Sequence, residues 1–93
     1  MAKAAKTKGK SKKENLNISE VEQYIIDRVK EMRIAKGLSQ RDVCYLMDVS
    51  QTFIAKVENP TLRAKYNINH VYMLAEILSC EIMDILPAKH KRK

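Results

Sequence analysis

The stretch from Gln40 to Asn59, QRDVCYLMDVSQTFIAKVEN, restricts the fold of this chain more than any other. Val43, Met47, Ile54 and Val57 lie at spacings that form one internal stripe shared by two short helices. Cys44 falls where those helices would touch, and a large or β-branched side chain there would hold them apart. Asp48 falls in the turn between them, which needs a left-handed backbone. Glycine suits that conformation best, and Asp or Asn takes it at modest cost. Val49 follows as an apolar anchor. The pattern describes two helices crossing steeply, the second held out from the body. A helical hairpin from an unrelated bundle is the alternative.

The flanks predict further helices. Ser19 and Glu22 have capping-box spacing, and Val21, Ile25, Val29 and Met32 then recur every three or four residues. That first helix should run to about Lys36 and stop at Gly37. Ser39 caps the second helix, with Asp42 three residues on and Val43, Leu46 and Met47 facing inward. Ser50 should cap a third helix over 51–58, which buries Ile54 and Val57 and cannot pass Pro60. Residues 60–66 read as a polar, basic loop. Asn67 caps a fourth helix carrying Val71, Leu74, Ala75, Ile77 and Leu78. A last short helix holds Ile82, Ile85 and Leu86, closed by Pro87. No strand or internal repeat is legible. The expected fold is all-α: a compact five-helix domain over residues 18–87, between a disordered Lys-rich arm (1–17) and a basic tail (88–93).

Charge is unevenly placed. Formal net charge is +7, yet ten of the 18 basic residues lie in 1–13 and 87–93. The remaining 8 face all 11 acids, so the body is about −3. Overall basicity therefore does not imply a basic binding face. The tails can add non-specific attraction to phosphate. The Lys-rich arm reads as a solubilising tail first and as a nucleic-acid-contacting arm second.

Other classes fit poorly. The chain has no Trp, one Phe and two Gly, which disfavours an aromatic cofactor pocket. Cys44 and Cys80 form no CxxC or Cys/His cluster, so they read as reduced core thiols and not as metal ligands. His70 has no second ligand nearby and reads as a surface or capping residue. Tyr66 and Tyr72 are expected in or near the core. No apolar stretch follows the basic N-terminus as in a secretory signal, and none approaches a membrane span. No nucleophile–base pair or Gly-rich phosphate loop suggests an enzyme. The expectation is a cytoplasmic protein without catalytic site, cofactor, metal or small-molecule ligand.

From Ile25 to Leu86 the chain resembles the lambda-repressor-like (Cro/repressor, Xre-type) DNA-binding family. The resemblance rests on Arg28-Val-Lys-Glu-Met-Arg33, Lys36-Gly-Leu-Ser-Gln40, Val49-Ser50 and Ile54 through Val57-Glu58-Asn59. Leu74-Ala75, Leu78, Ile82 and Ile85-Leu86 extend it. Asp48, Pro60 and Ser79 depart from it, each standing where the family commonly has Gly. The resemblance implies a helix-turn-helix regulator of transcription, with the third helix in the major groove of double-stranded DNA. The positions held by Gln51, Thr52 and Lys56 would contact base edges, with the small Ala55 allowing close approach. Gln40 and Ser50, at helix starts, would meet phosphates, as would Arg41. Arg63 and Lys65 would do so too, or would simply be solvated. Arg33 and Glu58 would form a structural ion pair linking the first helix to the third. One such helix reads few base pairs, so a homodimer on a near-palindrome is expected. Its contact surface would involve the last two helices and exposed members of Tyr72, Ile82 and Met83. A repressor is one form of such a regulator. A protein-interaction module, antitoxin-like or adaptor, is the alternative function.

Overall fold

The computed structural model describes residues 18–88. The Lys-rich arm and the tail beyond residue 88 lie outside them. Five helices follow one another: α1 (Glu20–Ala35), α2 (Gln40–Met47), α3 (Phe53–Glu58), α4 (Ile68–Ile77) and α5 (Ile82–Ile85). No strand occurs among the described residues.

Local chemistry fixes most helix ends. Ser19, Ser39 and Asn67 each accept the backbone N–H three residues on, and the side chain of that residue reaches back to the cap's own N–H. Two otherwise unpaired donors are satisfied at each of these starts. In α4 the returning group is His70 Nδ1, 3.1 Å from the Asn67 N–H, so His70 is part of a cap. Gly37 takes φ +73 after α1. Asp48 (φ 60) and Ser79 (φ 56) adopt left-handed backbone without glycine's freedom, at two of the places where Gly is usual in the resembling family.

The core is one cluster that includes Ile26, Val29, Val43, Cys44, Met47, Ile54, Val57, Leu74, Leu78 and Ile85. α2 packs on both α3 and α4, while α1 meets α3 and α5.

Three inward assignments differ from the sequence reading. In α1 the buried line is Ile26, Val29 and Arg33, and Val21 is exposed. At 100° per residue Val21 lies off that line, and Ile18, before the cap, is buried at this end of the core instead. In α2 the buried line is Val43, Cys44 and Met47, which leaves Leu46 on the flank and exposed. Tyr66 is buried but Tyr72 is exposed, one position beyond the buried Val71.

The third helix is also shorter than the sequence suggests. Residues 51 and 52 form a turn, and Thr52 occupies the cap position without a side-chain capping bond. Ser50 still organises that turn. Its carbonyl accepts the Phe53 N–H at 3.0 Å, and its hydroxyl lies 3.2 Å from that of Thr52. The Ser50 hydroxyl also accepts the Thr52 N–H at 3.4 Å, so its side chain caps this turn and not the helix that follows.

Candidate functional site

The α2–α3 crossing closes on Cys44. This thiol is 1% exposed and accepts the Ile54 N–H at 3.5 Å, while its carbonyl accepts the Val49 N–H at 3.1 Å. Cys44 therefore holds the turn through its backbone and the start of α3 through its thiol. Val43, Ile54 and Val57 close the crossing from within, and Val49 packs half-buried against the core.

The opposite side is polar and open. Gln51, Thr52, Ala55 and Lys56 are all exposed, whereas Ile54 and Val57 on the same segment are buried. The segment thus presents an amide, a hydroxyl, a methyl and an ammonium on one outward face. Those groups match what base edges in a major groove offer: Gln and Lys to purine donors and acceptors, a Thr methyl to a thymine methyl.

Arg41 joins this face from α2. Its Nη2 donates to Gln51 Oε1 at 2.9 Å. Both side chains border an open crease of about 450 Å³ that also reaches Tyr45 and Asp48. Ser50 lies beside them and is exposed.

Beneath the face lies a buried polar cluster. Arg33 donates through Nε to Glu58 Oε2 at 3.1 Å and through Nη2 to Glu58 Oε1 at 2.9 Å. Its Nη1 donates to the Leu38 carbonyl at 2.8 Å. Gln40 Nε2 donates to Glu58 Oε1 at 2.8 Å. The two charged side chains are only 9% and 3% exposed, so a lone partner would be a stranded charge. This cluster ties α1, the start of α2 and the end of α3 together. It also draws Gln40 inward, because one of its amide N–H groups is already bonded to Glu58.

The loop residues take two courses. Arg63 is exposed. Lys65 Nζ pairs with Glu22 Oε2 at 3.0 Å, which anchors the loop to the first turn of α1. The Ser19 N–H, and then Lys65, hold the Glu22 carboxyl below its usual range. Phe53, Tyr66 and His70 form an aromatic cluster behind α3, with centroids 4.7 to 6.3 Å apart. Burial pushes the Tyr66 phenol up and the His70 imidazole down.

Sequence reasoning missed the Gln40–Glu58 and Arg41–Gln51 links. Each joins residues brought together only by the turn, at separations of 18 and 10, where no helical period signals contact. Among the described residues, no cluster of three or more His, Cys, Asp or Glu could hold a metal, and no helix is long and apolar enough to cross a membrane.

Comparison with known proteins agrees with this geometry. Residues 28–90 match the Cro/C1-type HTH DNA-binding domain. The fold is similar to the crystal structure of the hypothetical transcription factor NHTF from Neisseria. The TM-score is 0.64 at 16% identity, over 78% of this chain and 82% of that one. No curated protein sequence matches the chain.

Proposed function

Since this chain belongs to the Cro/C1-type helix-turn-helix DNA-binding family, we propose that it is a sequence-specific regulator of transcription that reads double-stranded DNA with α3 in the major groove. The observation that carries this is the division of 51–57 into a buried apolar side and an exposed face of Gln51, Thr52, Ala55 and Lys56.

Gln51, Thr52 and Lys56 contact base edges in this reading. Arg41, Ser50 and Arg63, with the backbone at Gln40, set the register on the phosphates. Lys65, which pairs with Glu22, is the further phosphate contact of this reading. The described body is close to neutral or acidic, so the lysines at the chain ends supply the non-specific attraction. Affinity then falls about tenfold or more over a few-fold rise in salt.

One α3 spans few base pairs, and two copies on a near-palindrome double the reading. Tyr72 at 63% and Met83 at 68% exposure, on α4 and α5, support a homodimer through that side. A repressor that occludes a promoter is the simplest mode for a regulator that binds through α3.

Selection from a random duplex library at near-physiological salt tests the reading. Enrichment of a two-fold-symmetric motif is expected. Recovery of no motif, with binding that tracks only the terminal lysines, would leave the alternative, a protein-interaction module on this fold.

A further inference from the structure

We propose that Arg41 is a positioning residue: it fixes which end of the Gln51 amide faces the DNA and so sets which base is rejected there. The inference rests on the reading that Gln51 contacts a base edge.

A guanidinium has donors only. The Gln51 atom 2.9 Å from Arg41 Nη2 is therefore the carbonyl oxygen, and the amide nitrogen is turned away from Arg41. Packing does not make this choice. Gln51 is exposed at the rim of an open crease, and the two ends of an amide are nearly equal in size. Arg41 is well placed to make it, because the neighbouring Gln40 is bonded to the buried Glu58 carboxylate. The start of α2, and with it the root of Arg41, is thereby held against the core.

An amide with its nitrogen outward needs an acceptor. Guanine offers N7 and O6 in the major groove, adenine N7 and thymine O4. Cytosine offers only its N4 donor. Arg41 already occupies one of the two lone pairs of the Gln51 oxygen and holds that oxygen toward α2, so cytosine at the contacted position is the base this arrangement disfavours most. Without Arg41 the amide can rotate and accept from N4, so the rejection shrinks. A residue that only neutralises phosphate behaves differently, because its loss weakens all sequences alike.

The test uses the full chain and the duplex enriched by selection, with each of the four bases placed in turn at the position where Gln51→Ala abolishes preference. Equilibrium binding is measured for the wild type, Arg41→Ala, Gln51→Ala and the double variant. The wild type should reject cytosine by about tenfold or more. Arg41→Ala should reduce that ratio to about two- to threefold, and should leave the already flat preference of Gln51→Ala unchanged. An equal loss for all four bases in Arg41→Ala, with the cytosine ratio intact, overturns the positioning role and leaves the Gln51 contact standing. If Gln51→Ala changes preference at no position, the base-contact reading itself fails and the inference falls with it.

Discussion

The two sides of the α2–α3 unit follow opposite rules. On the inner side every polar group of Arg33 and Glu58 that faces the core finds a partner, and Val43, Cys44 and Ile54 are at most 1% exposed. On the outer side Gln51, Thr52 and Lys56 are exposed, with Gln51 bonded to Arg41 and Thr52 to the Ser50 hydroxyl. One side holds the helix at its angle, and the other is free for a ligand. A substitution on the inner side should therefore act through stability, and one on the outer side through binding.

The sharpest way to break this contrast is at Glu58. Glu58→Ala leaves the Arg33 guanidinium buried without its counter-charge, and should destabilise the fold by about 3–5 kcal/mol in urea unfolding. A loss near zero would mean that the inner side is not what holds α3. Cys44 comes next. Cys44→Leu adds bulk at the point of closest approach and should cost about 1–3 kcal/mol, read as a lower unfolding midpoint.

The aromatic side of α3 gives a pH-dependent test. Burial lowers the His70 pKa from its ordinary 6.5, and Nδ1 must be unprotonated to accept the Asn67 N–H. A depressed folded pKa means that the unfolded chain binds the proton more readily. The contribution is therefore complete above about pH 6.5 and is lost as pH falls through the lower folded value. Thermal melts between pH 7 and 5 should show a steeper decline for the wild type than for His70→Gln; parallel declines would remove His70 from the cap's energetics. The smallest stability effect belongs to the outer face. Gln51→Ala and Lys56→Ala should each change folding stability by less than about 0.5 kcal/mol. Each should nonetheless reduce base discrimination by about 1–3 kcal/mol in competition binding. A large loss of stability in either would erase the contrast between the two sides.

The same contrast governs how much could be read from the sequence. Helix order and most caps were legible, because Ser19, Ser39 and Asn67 signal their bonds within three residues. The small Cys44 and the left-handed Asp48 marked the crossing for similar local reasons. Faces were less secure: Val21 and Leu46 lie one position off the buried lines, and an apolar residue next to a stripe looks like part of it. The sequence starts α3 two residues early, because the bonds between Ser50 and Thr52 depend on turn geometry. Hardest to see were the links made by folding alone, Gln40 to Glu58 and Arg41 to Gln51. The chemistry of the outer face was legible as residue types, but not the orientation of its amides.

The most direct test maps the bound surface by amide NMR shifts on titration with the duplex recovered by selection. The expected result is that the largest changes fall on residues 40–41 and 50–56, with the buried pair and the α4–α5 side little affected. Large changes confined to α4 and α5, around Tyr72 and Met83, with 50–56 unmoved, would contradict reading by α3 and point to the other side of the molecule as the binding surface.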